Sequence, residues 1–95
     1  MSDVIEAAVA ALAEKLSDGF DGVAKFVVED EGSIMIDEDG VRAADDDAEV
    51  TLTADSDTFR DILSGDLNPT AAFMSGKLSV DGDMATAMKL GSSLS

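Results

Sequence analysis

Apolar side chains recur at a helical interval across residues 3–16. Ile5, Val9, Leu12 and Leu16 fall on one stripe. Asp3 with Glu6 makes a loose capping box at its start, and Asp18-Gly19 stops it. From Gly22 the period changes. Residues 23–28 are β-branched and aromatic, and residues 33–36 alternate less cleanly around Ile34 and Ile36. Asp30-Glu31-Gly32 reads as the turn between these two strands. Asp39-Gly40 is a stronger hairpin signal before a short third strand at Val41. The charged loop Asp45-Asp46-Asp47 then leads into residues 50–53, a strand with one apolar and one polar face.

Helical signals return after that strand. Ser56 is placed as the N-cap of a helix carrying Phe59, Ile62 and Leu63, which Gly65 ends. Asn68-Pro69 opens a short helical segment with proline in its permitted first position, followed by Ala72, Phe73 and Met74 and closed by Gly76. Residues 77–81 alternate as a fifth strand. Asp83 caps a last helix with Met84, Ala87, Met88 and Leu94 on one side. No repeat, linker or low-complexity tract interrupts the order, so residues 1–95 are expected to form a single domain. Grouped strands with helices around them predict an α+β fold, one sheet with helices packed on one face.

Composition narrows the chemistry. The 95 residues include no Cys, His, Trp or Tyr, which removes the usual catalytic triads, thiolate nucleophiles and zinc ligand sets. With 21 acidic against 6 basic side chains the net charge is −15, so the chain repels phosphate backbones and nucleic acid is not an expected partner. Yet 45% of the residues are apolar, too many for a disordered acidic tail. No stretch approaches the roughly 20 apolar residues of a membrane span and no basic-then-apolar leader is evident, so a cytoplasmic location is expected.

Three catalytic or metal motifs fail on inspection. Counting Gly40 as the sixth position of a calcium loop puts Asp37, Asp39 and Asp46 at ligand positions, but Met35 falls at the first and strands flank the loop. Gly76-Lys77 has the end of a phosphate loop but Ala71 where its first Gly belongs and Leu78 in place of Ser or Thr. Asp55-Ser56 suggests a carrier serine, yet Asp57 follows where an aliphatic residue is required. No metal, no cofactor and no enzymatic activity are expected.

Charge is unevenly spread. Residues 29–66 hold 14 acidic and 2 basic side chains, whereas residues 67–95 balance Asp81 and Asp83 against Lys77 and Lys89. The neutral third also contains Phe73 and three of the five methionines, Met74, Met84 and Met88. Methionine is flexible and polarizable, suited to irregular core gaps and to surfaces that accept varied apolar partners. The residues by themselves leave open whether these side chains fill the core, wall an apolar ligand pocket, or face outward as a protein-docking surface of an accessory subunit.

One resemblance bears on that choice. Gly65-Asp66-Leu67-Asn68-Pro69, Ala72-Phe73-Met74-Ser75-Gly76-Lys77-Leu78, Gly82-Asp83-Met84 and Ala87-Met88-Lys89-Leu90, with Phe59 and Ile62-Leu63 before them, resemble the sterol carrier protein 2 (non-specific lipid-transfer) family. Asp46-Asp47-Ala48-Glu49-Val50-Thr51-Leu52 is similar to the same family. The resemblance runs over most of the chain and is most specific from 59 to 90. It implies a five-stranded sheet with helices on one face enclosing an apolar tunnel. The tunnel takes a fatty acid, fatty acyl-CoA, phospholipid or sterol, which is carried without chemistry. Its implied walls are Phe59, Ile62, Leu63, Leu67, Phe73, Met74, Met84, Met88 and Leu94, and its partners are a lipid or other apolar small molecule. Transient membrane or protein contact would run through residues 67–95.

Overall fold

The helical stripe near the start becomes α1 (Asp3–Lys15), and Leu16 extends its ladder by donating to the Leu12 carbonyl. The structure, a computed structural model, describes residues 3–17, 19–29 and 31–94, except for the side chain of Leu94. The signals read at Asp18 and Asp30, and the Leu94 side chain, therefore lie outside the described residues. Gly19 still donates to the Leu16 carbonyl where the stop was expected. Ile5, Ala8, Leu12 and Leu16 are the buried positions of this segment. Ala8 takes the central place and Val9 is only half-buried, because the small side chain lets the helix approach the sheet closely.

Five strands follow the expected order with slightly shifted ends: β1 (Ala24–Val28), β2 (Gly32–Asp37), β3 (Gly40–Ala43), β4 (Val50–Ala54) and β5 (Leu78–Gly82). They form one sheet ordered β3-β2-β1-β4-β5. All neighbours are antiparallel except β1 and β4, which run parallel in the register Phe26 opposite Leu52. One face is apolar: Ala24, Phe26 and Val28 align with Ile34 and Ile36 on one side and with Val50, Leu52 and Ala54 on the other. The helices α1, α2 (Ser56–Ser64), α3 (Pro69–Met74) and α4 (Met84–Leu94) supply most of the rest of this core, with Leu16 and Phe20 from the segment after α1 and Leu78 from β5. The fold is thus the expected α+β sandwich of a five-stranded sheet and four helices.

The second face is polar, with Lys25, Thr51, Thr53 and Ser79 alternating against the core residues. Segment 44–49 must cross it to carry the chain from the edge strand β3 to β4. Lys25 Nζ meets Asp45 Oδ1 at 2.7 Å there, and Met35, which lies between Lys25 and Arg42 in the register, is 1% exposed. Met35 is thus a buried apolar side chain on the mostly polar face that this segment crosses.

Helix ends show how local chemistry sets the layer. The N-cap of α2 is Asp55, not Ser56: its carboxylate accepts from the Thr58 amide at 2.7 Å, a reach the serine hydroxyl one residue later does not match. Gly65 closes α2 by donating to the Ile62 carbonyl. Asn68 caps α3 through the Thr70 and Ala71 amides, with Pro69 at the first helical position, and Ser75 rather than Gly76 is its C-cap. Asp83 begins α4 as expected, accepting from the Ala85 amide and the Thr86 hydroxyl.

Candidate functional site

Between α3, α4 and the edge of the sheet lies a cleft of about 240 Å³. Its floor is Leu52 of β4 with Leu78 and Val80 of β5. One wall is the α3 face carrying Pro69, Thr70, Phe73 and Met74, and the other is the α4 face carrying Met84, Ala87, Met88 and Gly91. The two short helices meet closely at one end, where a Cβ placed on Gly91 stands 3.7 Å from Pro69 Cβ, ordinary contact distance. Side chains longer than alanine at 91 would push the helices apart or fill the cleft.

Leu52 and Leu78 of the floor are buried and Val80 is half-buried, but the rim is exposed. Phe73 is 41% exposed, Met84 45%, Met88 70% and Met74 80%. Four large apolar side chains thus stand around one apolar depression, open to solvent on one side. Flexible methionines and a short helix border it, which is the kind of wall that can widen. The sequence pattern explains why they end up here: α4 spends Ala87 and Leu90 on the core, leaving Met84 and Met88 at its flank, and α3 spends only Pro69 and Ala72.

The remaining candidate residues divide. Phe59 and Ile62 are taken up by the core, each 1% exposed, and the Phe59 ring packs on Phe26 with centroids 4.3 Å apart. Leu63 is half-buried and borders a second groove of about 230 Å³ between α1 and α2, with Val4, Ala7, Phe59 and Arg60. Leu67 is half-buried against the core and lines neither space. Leu94 lies at the end of α4, its side chain outside the described ones. The structure therefore brings together Phe73, Met74, Met84 and Met88 and separates them from Phe59, Ile62 and Leu63. The floor residues Leu52, Leu78 and Val80 and the wall residues Pro69, Thr70, Ala87 and Gly91 were missed as site positions. The alternation in residues 50–53 and 77–81 already put the floor residues on one apolar face.

Two of the helix caps carry carboxyls whose titration is shifted. Bonds from the Thr86 hydroxyl and the Ala85 amide hold the Asp83 carboxyl below the ordinary 3.8. The Thr58 amide and hydroxyl do the same for Asp55. A carboxyl lowered in the folded state stabilises the fold above its ordinary value, and that contribution is lost as the pH falls from 3.8 through the lowered value. Asp83→Asn keeps an acceptor for the Ala85 amide but does not titrate. Acid unfolding followed by circular dichroism should be shallower between pH 3.8 and the unfolding midpoint in this variant than in the parent chain. Identical acid limbs would show that the cap contributes nothing pH-dependent. On the hairpin, Asp37 is likewise lowered by its 2.8 Å ion pair with Arg42 and the Asp39 amide. Among the described residues no group of three or more acidic side chains converges as a metal site.

Comparison with known proteins follows the same outline. Residues 3–95 match the SCP-2 sterol transfer family. Over 45 residues the chain is 51% identical to hydroxysteroid dehydrogenase-like protein 2 from Bos taurus, an alignment covering 47% of this chain and 11% of that protein. It is 48% identical over 42 residues to peroxisomal multifunctional enzyme A from Dictyostelium discoideum, covering 44% of this chain and 10% of that one. The match thus spans only about a tenth of the length of these curated relatives. Among solved structures, sterol carrier protein 2 from Aedes aegypti in complex with a C16 fatty acid (palmitate) superposes with a TM-score of 0.79 at 25% identity, covering 100% of this chain and 97% of that one. The apo form of sterol carrier protein 2 from Yarrowia lipolytica gives 0.68 at 24% identity, with 97% and 84% covered.

Proposed function

This chain belongs to the SCP-2 sterol transfer family, and from that membership and the apolar cleft we propose that it binds a hydrophobic ligand and carries it without catalysis. The ligand class is a fatty acid, fatty acyl-CoA, phospholipid or sterol. The observation that carries the reading is the rim: Phe73, Met74, Met84 and Met88 stand exposed around a floor in which Leu52 and Leu78 are buried. Large apolar side chains gathered on a soluble surface mark a binding site more often than they occur by accident. The palmitate complex of the Aedes aegypti protein, whose fold this chain shares, supports a fatty chain as one occupant.

At about 240 Å³ the cleft falls just below the roughly 300–1,000 Å³ usual for small-molecule pockets. A long chain therefore enters by moving the rim, with the methionines turning outward and α3 and α4 parting. The residues 67–95 that move are also the part without net charge, so contact with a membrane or partner protein through them does not add to the repulsion from the remainder of the chain.

Native mass spectrometry of the freshly purified protein should reveal a co-purified lipid and name its class. Palmitate, palmitoyl-CoA or cholesterol at about 100 times its dissociation constant should stabilise the fold by about 2.7 kcal/mol, a rise of roughly 10 °C or more in Tm. If all three leave the melting curve unmoved, the carrier reading fails.

A further inference from the structure

Building on the carrier reading, we infer that this cleft prefers ligands with an uncharged head, such as a long-chain alcohol, to the ionised carboxylate of the same chain. The observation is chemical. Among the described residues that line the cleft none is charged, and Thr70 supplies the one polar side chain.

The charged groups on the surrounding elements and their connecting turns do not line it. On β5, Asp81 alternates with Val80 and stands on the opposite face of the sheet, beside Thr51 in the register. Asp83 is committed to the Ala85 amide and the Thr86 hydroxyl. On α4, Lys89 Nζ donates to the Asp21 carbonyl at 3.2 Å and lies 3.5 Å from the Asp21 carboxylate. Lys77, in the turn after α3, is not among the residues that line the cleft. Asp66, between α2 and α3, carries the sign that repels an anion. Neither β4 nor α3 carries a charge.

A carboxylate drawn to this cleft would surrender water without gaining a cation, and an unpaired desolvated charge is costly. It would also approach a chain of net charge −15, whose field reaches further as salt is lowered. An alcohol of the same length buries the same apolar area, feels no such repulsion, and has a head that can exchange a hydrogen bond with the Thr70 hydroxyl.

The test is displacement of the uncharged fluorescent probe N-phenyl-1-naphthylamine from the intact chain by dodecanol and by dodecanoate at about pH 8, where the acid is ionised. In low salt dodecanol should bind about tenfold more tightly or better, since an unpaired charge costs more than an unpaired neutral group. Raising sodium chloride to about 0.5 M should narrow the gap several-fold by strengthening dodecanoate, as screening of like charges requires. Lys77→Met and Lys89→Met, each adding only one unit to the net negative charge, should leave dodecanoate affinity within about twofold. Equal or tighter dodecanoate binding, weakening of it by salt, or its loss in either lysine variant overturns the inference while leaving the carrier reading intact. If neither ligand displaces the probe, the carrier reading itself falls and the preference with it.

Discussion

Gly82→Ala is expected to destabilise the chain by about 3–5 kcal/mol, a large part of the roughly 5–15 kcal/mol that holds a domain of this size together. Gly82 ends β5 with φ +117°, a conformation that side chains rarely adopt. A Cβ there would stand 2.5 Å from the Glu49 carbonyl oxygen and 3.0 Å from Val50 Cα, both backbone atoms where the chain enters β4. The same carbonyl accepts the Asp83 amide at 2.9 Å, so moving it disturbs the end of the β4–β5 ladder and the entrance to α4 together. Backbone strain accounts for about 1–3 kcal/mol, and the collision with its lost hydrogen bond for the rest. Gly40→Ala is the control. Gly40 has φ +124° but nothing within 4 Å of its Cβ position, so it bears the strain without the collision. Thermal unfolding should place Gly82→Ala roughly 10 °C or more below Gly40→Ala. Equal melting temperatures for the two variants would sink the steric account.

That glycine belongs to the Gly82-Asp83-Met84 motif by which the family was recognisable, and the physical reason for the motif is now visible. One residue turns where only hydrogen fits, the next caps the helix, and the third begins the cleft wall. Such local chemistry is legible in a sequence because each residue's role depends on its chain neighbours. The same holds for the Asn68-Pro69 start of α3 and the alternation of β4 and β5. Where the sequence misled, the deciding contact was distant or a single residue off. The family resemblance implies Phe59 and Ile62 as pocket walls, whereas Phe26 on β1, 33 positions away in the chain, packs on the Phe59 ring in the core. Ser56 and Asp55 are both good caps, and only the reach to the Thr58 amide decides between them. The parallel pairing of β1 with β4 has no local signature at all, since it arises from the crossing of segment 44–49 over the polar face. The cleft floor follows instead from the antiparallel β4–β5 pairing, which sets Leu52 opposite Val80 and Ala54 opposite Leu78.

Replacing Met84 and Met88 together by glutamate is expected to abolish ligand uptake while leaving the fold nearly unchanged. Both side chains are substantially exposed, at 45% and 70%, and surface substitutions of that kind usually shift stability by less than about 0.5 kcal/mol. Residue 84 also starts α4, where a negative charge is favoured by the helix dipole. A ligand lying in the cleft covers these methionines. Losing two such apolar contacts costs about 4 kcal/mol of binding, or about a thousandfold in affinity, before any penalty for placing carboxylates against a fatty chain. Ala10→Glu with Ala13→Glu adds the same charge on the exposed side of α1, away from the cleft, and should leave uptake within a few-fold of the parent chain. Probe displacement and melting curves on the three proteins check both halves. If the methionine pair still takes up lipid but loses a complex that sizing or cross-linking detects in the parent chain, the rim is a protein-docking surface and the cleft is not where a ligand lies.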